Sequence, residues 1–580
     1  MSDVRRLRVR GATVVDGTGA PGRTADLLIE NGRFAVDDGR PVDESIDADG
    51  LIAAPGFIDI HTHYDAQVFW DPMLSPSANH GVTTVVSGNC GFSLAPMAPE
   101  HEEYIARMLA RVEGMPYASI AESVPWGWSS YGELLAALDK HGTGLNIGVM
   151  AGHSTIRRFV MGERAVGSEA TADEIELMET MLDAALTDGA LGFSTSQART
   201  QPDANGDPVP SRWATTGELV RLAAQVRGHD GTMLQYSPPG DRLDDATVDL
   251  MIKLSLAGDR PINWNLLIVG RYDEDYSEHQ LSASDRAAAA GAVIRGLMRP
   301  DPTIFRVSFA NCRTMTAFKN WDELDLPLDE LRHRLEDPAA RRSLRDRAET
   351  NTRGRVSSEL YVRWPDYIVG ETVTASQAAL RGRTIGAIAA ERGADPFDTL
   401  LDIALTDSLQ TGFYPQADDG GDIGWAARAR LCTDSRMIVG GSDAGGHLDM
   451  MCGPVYSTAL LGDYPKRGLL TVEECVRLLT DVPARYIGLR DRGRIQPGFR
   501  ADLVLFDPDR VGTGDFDFRH DLPAGGARVW AGGTGIERVL VNGVPAMVAG
   551  EKTGELAGCV LRSGRDTGTV ANSGVSPAGG

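Results

Sequence analysis

A chain of 580 residues with 42% hydrophobic and 24% charged side chains has an ordinary globular composition, which excludes a mainly disordered or fibrous protein. Its net charge of −24, from 57 basic against 81 acidic residues, works against nucleic acid or an anionic membrane as a partner. The 6 cysteines are scattered without a CxxC pair, so no disulfide framework is expected. No apolar run approaches the ~20 residues that span a bilayer, and a cytoplasmic protein is expected.

In chain order, the opening MSDVRRLRVRGATVVDG has no apolar segment of signal-peptide length. The stretches LRVRGATVVDGTG and ADLLIENGRFAV alternate with period two and are split by Gly and Asn-Gly turns, the grammar of hairpins. Near the other end, GRIQPGFRADLVLFDPD and GIERVLVNGVPAM read the same way. Two β-rich ends around a long middle predict one composite β-sandwich domain from residues 1–54 and 490–556.

The middle, 55–489, alternates short apolar runs with helical patterns. AAPGFIDIHTH, GVTTVVSGNCG, GLNIGVMAGHS, GALGFSTS, GTMLQYS, PINWNLLIV, TIFRVSFAN and MIVGGSDAGG read as strands. Between them, TADEIELMETMLDAALTDG opens on Thr171 with Glu174 three residues on, a capping box, and closes on Gly189. The fold class is α/β. Repeated βα units predict a TIM-like (β/α)8 barrel, with a doubly wound sheet as the alternative. A helical insert is expected at about 312–434, before the last strand. The Gly/Ser-rich 561–580 is expected to be a disordered tail.

His61 and His63 stand at i and i+2 at the end of the first barrel strand, so strand alternation turns both imidazoles the same way. Strand C-termini form the active face of such barrels, and two imidazoles there suit Zn²⁺. A catalytic site needs further ligands. Asp443, ending the last strand, would lie beside the first strand in a closed barrel, where it reaches both an ion and an attacking water as general base. Cys90, ending the second strand, is a candidate thiolate ligand. Asp59 and Asp65 are candidates to orient an imidazole. His153 is a candidate supporting or substrate residue, and His447 reads as a loop histidine near the mouth.

The runs PGFIDIHTHYDAQ, GVTTVVSGNCGFSLAP, GHSTIRRFVMG, GSDAGG and GRIQPGFRADLVLFDP together resemble the N-acyl-D-amino-acid deacylase (D-aminoacylase) branch of the amidohydrolase superfamily. The resemblance spans nearly the whole chain in order. It implies a barrel with a small β-domain from both termini and Zn²⁺-dependent amide hydrolysis. It also implies that His61, His63 and Asp443 form one metal site, with Asp443 as base, and that Cys90 matches the ligand of a neighbouring zinc. The departures lie on strands five and six, where the family's histidines are replaced by Gln235 and Tyr236, and by Asn263 and Asn265. One zinc ion is therefore expected rather than two, held by His61, His63 and Asp443 with Cys90 beside it. The lysine, tyrosine and arginine that hold a substrate carboxylate in the family are not matched, with Arg313 as a substitute. Gln235, Asn263, Asn265 and Trp264 then read as a neutral, hydrogen-bonding substrate pocket or as strand-end packing.

The expected function is metal-dependent hydrolysis of a linear or cyclic C–N bond in a small amide-like substrate, by a homo-oligomer. The alternatives are a barrel with a degraded site acting as a binding or assembly subunit, and a mononuclear heterocycle deaminase.

Overall fold

In a computed structural model of the chain, the described residues are 5–574 except 241, 268, 270–273, 311–320, 322–325, 352–361 and 417–418. The two ends of the chain meet in one nine-stranded sheet. Ile52–Pro55 from the N-terminal part pairs antiparallel with Leu503–Phe506, Ala54 opposite Val504. Arg6–Val14 and Arg23–Glu30 extend the sheet on one side, and Ile536–Val541 and Val544–Val548 on the other. The two Asn-Gly pairs turn the hairpins Arg23–Glu30 with Arg33–Ala35 and Ile536–Val541 with Val544–Val548, with Asn31 and Asn542 in the left-handed region (φ 51° and 50°) that asparagine tolerates. Alternation along the strands divides the side chains between two cores. Leu7, Val9, Ala53, Leu503 and Leu505 fill a small core of the sheet's own, while Ile52, Ala54, Val504 and Phe506 join the main core of the molecule.

Apart from the short antiparallel pair Ile368–Val369 with Phe413–Tyr414, the described strands in the middle of the chain pair in parallel. Phe57–Asp59, Val82–Ser87 and Asn146–Val149 form a three-stranded sheet. Ala151–Gly152, Gly192–Ser196, Met233–Ser237, Ile262–Leu267, Ile294–Met298 and Met437–Val439 form a six-stranded one in that order. A single residue, Met150, separates the two sheets along the chain. At the other margin, a parallel bridge joins Thr62 to Ala444, with His63 N–H donating to Ala444 O at 2.7 Å. Helices Ala172–Asp188, Thr216–Gln225 and Asp245–Gly258 link successive strands. The first has the capping box read from the sequence, Thr171 and Glu174 each receiving the other's backbone N–H, and Gly189 ends it in the left-handed conformation.

Three expectations change. The strand before the last is Ile294–Met298, paired with both neighbours, and not TIFRVSFAN. Arg295 and Gly296 interrupt its apolar pattern, whereas Val307 and Phe309 alternate cleanly because they face a different core. That core includes Trp321, Trp364, Phe397, Leu400 and Phe413, with the Trp321 and Trp364 rings stacked 6.3 Å apart. The segment between Ile294–Met298 and Met437–Val439, 299–436, therefore starts ahead of 312, and its first described helix is Leu328–Glu336; Cys312 and Arg313 lie outside the described residues. Its main chain reaches the loop after Asp443, where Arg306 N–H donates to Met450 O at 2.6 Å.

The tail is ordered through its described part, 561–574. Val560 bridges Ile147. Leu561 is fully buried with Ile58, Ile60, Val86 and Ile438. Thr567 Oγ1 donates to Gly231 O at 2.7 Å, and Asn572 Nδ2 to Ser255 O at 3.0 Å. Its small polar residues satisfy backbone groups of the neighbouring loops, and composition alone cannot distinguish that use from solvation. No described helix is long and apolar enough to cross a membrane. The five described cysteines are free.

Candidate metal centre

The segment His61–His63 leaves the strand Phe57–Asp59, and the loop Gly440–Gly446 leaves Met437–Val439; the two lie against each other. Asp443 N–H donates to His61 O at 3.2 Å. The contact is close enough that a Cβ on Gly445 would come within 2.5 Å of His63 O, which requires glycine there. Asp443 Oδ1 faces both rings, 3.4 Å from His61 Nε2 and 3.1 Å from His63 Nε2. Cys90 Sγ lies 3.4 Å from His61 Nε2. Ligand atoms of His61, His63 and Cys90 all fall within 4.8 Å of one another. Cys90, Asp443 and His447 hold left-handed backbone (φ 56°, 58° and 50°), a conformation sparsely populated by non-glycine residues and costing of order 1 kcal/mol or more each.

The electrostatics follow from crowding. Burial works against charge on His61, but the Cys90 sulfur and Asp443 outweigh it and hold the imidazole's pKa up at about 9. Burial likewise opposes ionisation of Cys90, and the two imidazoles overcome it, bringing the thiol down to about 6. Asp443 sits well below the usual carboxylate range despite burial, because both histidines donate to it. Without a metal, protons on the rings neutralise a thiolate and a carboxylate. A cation serves the same donors and releases those protons.

Strands five and six supply a ring of neutral groups around Cys90. Gln235 Oε1 accepts the Cys90 N–H at 2.8 Å. Gln235 Nε2 donates to Ser237 Oγ at 3.1 Å and to Asn265 Oδ1 at 2.9 Å. Ser237 Oγ and Asn265 Nδ2 in turn donate to Cys90 Sγ at 3.2 and 3.6 Å. Gln235 and Asn265 are thus committed to the sulfur and its backbone. Ser237 escaped the sequence reading although it shares Gln235's face two residues on.

The other expected residues lie apart from this cluster. Asn263 donates to Leu234 O at 3.4 Å, and Trp264 is buried in the main core. His153 uses both ring nitrogens, Nδ1 with Thr195 Oγ1 at 2.8 Å and Nε2 with Glu218 Oε1 at 2.9 Å; Arg157 completes that buried group. Asp59 and Asp65 orient backbone rather than imidazole, accepting the N–H of His61 at 3.3 Å and of Gly88 at 3.2 Å. Burial pushes each of them up to about 6. Two residues come closer than expected. His447 Nε2 lies 3.5 Å from Asp443 Oδ2. Glu113, the last residue of the helix Glu102–Glu113, brings Oε1 to 3.7 Å from His63 Nδ1. No motif marks Glu113; only the path of the intervening chain brings it in.

The amidohydrolase family model matches residues 44–546. A D-aminoacylase of Alcaligenes xylosoxydans xylosoxydans is 26% identical over 582 residues, covering 96% of this chain and 97% of that protein. An N-acyl-D-aspartate deacylase of the same organism is 27% identical over 539 residues, 90% of each. A D-aminoacylase structure, described for its binuclear metal centre with one-metal activation and second-metal attenuation, superposes with a TM-score of 0.63 at 26% identity, over 96% of this chain and 99% of that one. The chain belongs to the amidohydrolase family. Within it the similarity is to the D-aminoacylase branch, and the chain is a metal-dependent hydrolase of carbon–nitrogen bonds other than peptide bonds.

Proposed function

We propose that this enzyme hydrolyses the amide bond of a small N-acyl compound at a single zinc ion held by His61, His63 and Asp443, with Cys90 as a further ligand. The observation that carries the reading is the convergence of these four side chains from three strand ends. Nitrogen, sulfur and carboxylate oxygen are the donor types zinc takes in proteins. The ring around Cys90 supports one ion rather than two: its amides and hydroxyl orient the sulfur and add no strong ligand beyond it. The two parallel sheets are read as one closed (β/α)8 barrel, supported by the Thr62–Ala444 bridge and by the single residue between the strands ending at Val149 and beginning at Ala151.

A bound zinc supplies Lewis acidity, polarising a substrate carbonyl. Asp443 moves the proton. Its Oδ1 faces the two imidazoles, which leaves Oδ2 on the His447 side. Oδ2 takes a proton from the attacking water as the new C–O bond forms, and returns it to the nitrogen as the C–N bond breaks, giving an acid and an amine. His447 holds that carboxylate oxygen in place. The names of the relatives make N-acyl-D-amino acids the first substrates to assay, with neutral and cyclic amides beside them.

The test is metal content of the purified enzyme together with amine release across that panel. About one zinc per chain and measurable amine release support the reading. A chain that takes up no metal and hydrolyses nothing overturns it, and release of ammonia alone overturns the amide assignment.

A further inference from the structure

We infer that Glu113 is a positioning residue for the metal centre: its carboxylate fixes the proton of His63 on Nδ1, so that Nε2 presents its lone pair to the ion. The inference rests on the zinc site proposed above. The two histidines are not equivalent in their surroundings. Both Nδ1 atoms are buried without a hydrogen-bond partner among the described residues, but of the two, among those residues, the Nδ1 of His63 alone has a carboxylate in ion-pair range, Glu113 Oε1 at 3.7 Å. Glu113 itself is 1% exposed, and its Oε2 is likewise buried without a partner. A carboxylate buried in this way stays ionised only beside a cation or donor, and the His63 ring is the donor within ion-pair range. The other ring nitrogen, Nε2, lies at 3.1 Å from Asp443 Oδ1, within the cluster of candidate ligands. An acceptor behind Nδ1 keeps the proton there and raises the basicity of the far nitrogen, which is how outer partners tune a ligating imidazole.

The surrounding chain leaves room for this carboxylate. A Cβ on Gly446 would stand 2.6 Å from Glu113 Oε2 and 3.3 Å from His63 Cδ2. The Glu113 carbonyl also accepts the His447 N–H, so the helix end is tied to the loop that carries Asp443. One glutamate thereby links both halves of the site, the His61–His63 segment and the Asp443 loop.

The experiment compares the full-length protein with Glu113→Ala, Glu113→Gln and Gly446→Ala, measuring Zn²⁺ affinity by chelator competition and the ligand-field spectrum after Co²⁺ substitution. Thermal unfolding of the metal-free proteins identifies any variant that fails to fold. Glu113→Ala is expected to weaken Zn²⁺ binding by about 10–100-fold, the usual effect of losing such a partner, and to shift the cobalt spectrum. Glu113→Gln, which keeps an oxygen acceptor, is expected to recover part of the affinity. Gly446→Ala is expected to weaken binding in the wild-type background and to do so less in the Glu113→Ala background, because its nearest clash is then gone. Wild-type affinity and an unchanged cobalt spectrum in folded Glu113→Ala overturn the inference and leave the zinc site standing. Failure of the wild-type chain to take up zinc or cobalt overturns both.

Discussion

Asp443→Asn isolates the chemistry from the fold. Asp443 sits at φ 58°, where asparagine is tolerated as readily as aspartate. The replacement therefore adds no backbone strain, whereas alanine at the same place costs roughly 1–2 kcal/mol more. What is lost is the negative charge between His61 and His63, at 3.4 and 3.1 Å, and the oxygen proposed to take the proton of the attacking water. A positioned general base contributes about 10²–10⁴-fold, or about 3–5 kcal/mol of transition-state stabilisation at about 1.4 kcal/mol per tenfold. The asparagine carbonyl remains near the ion but binds it less well. The assay is steady-state amine release at saturating Zn²⁺, with zinc content measured on the same sample so that loss of metal and loss of base are separated. The expected result is a fall in kcat within that range, a KM within a few-fold of wild type, and unchanged thermal unfolding after correction for metal content. A zinc-loaded Asp443→Asn enzyme with kcat within tenfold of wild type would refute the role assigned to this carboxylate.

The remaining expectations concern protons, the tail and a helix end. In the metal-free chain His61 holds its proton up to about 9, above the ordinary histidine value, so the ion-pair stabilisation it brings is complete below about 6.5 and is lost as pH rises through about 9. At the proposed site zinc displaces that proton, and its apparent affinity should climb by up to about tenfold per pH unit per proton released between pH 6 and 9; chelator titrations that give the same affinity at both ends would contradict this. Leu561→Ala, at a residue with 0% exposure, should cost about 2–5 kcal/mol in denaturant unfolding, where a disordered tail would lose nothing. Thr171→Ala removes one half of the capping box on Ala172–Asp188 and should cost about 1 kcal/mol, read as a shift of the unfolding midpoint at constant slope.

What could be read from the sequence was whatever short-range pattern encodes. Asn-Gly turns, the Thr171–Glu174 box and the paired histidines are local, and each appears where the residues imply. Apposition of His61 and Asp443 was legible only by adding a rule of barrel closure. TIFRVSFAN misled because period-two alternation reports a buried face and not which core it faces. The strand Ile294–Met298 hid behind Arg295 and Gly296. The tail was misjudged because Ser, Thr and Asn side chains serve loop backbones as readily as they serve water. Gln235 and Asn265 read as possible substrate contacts, since nothing in their own strands shows that Cys90 consumes their hydrogen-bonding capacity. Glu113 was beyond reach: its partner is fifty residues back, and only the folded path of the chain joins them.

The pairing of Ala54 with Val504 has a consequence for the chain during synthesis. Ile52–Pro55 leaves the ribosome roughly 450 residues before the strand that covers its edge, and at about 5–20 residues per second the gap is on the order of 20–90 s. Throughout that interval the edge of Ile52–Pro55 that later meets Leu503–Phe506 stands open beside other nascent chains, with its outward amides and carbonyls unpaired. The bulk of the enzyme, its candidate metal ligands included, is made inside this window. Expression temperature and chaperone supply should therefore govern yield through this one edge, and a truncation that removes the closing strands should aggregate even though it keeps every residue of the metal centre.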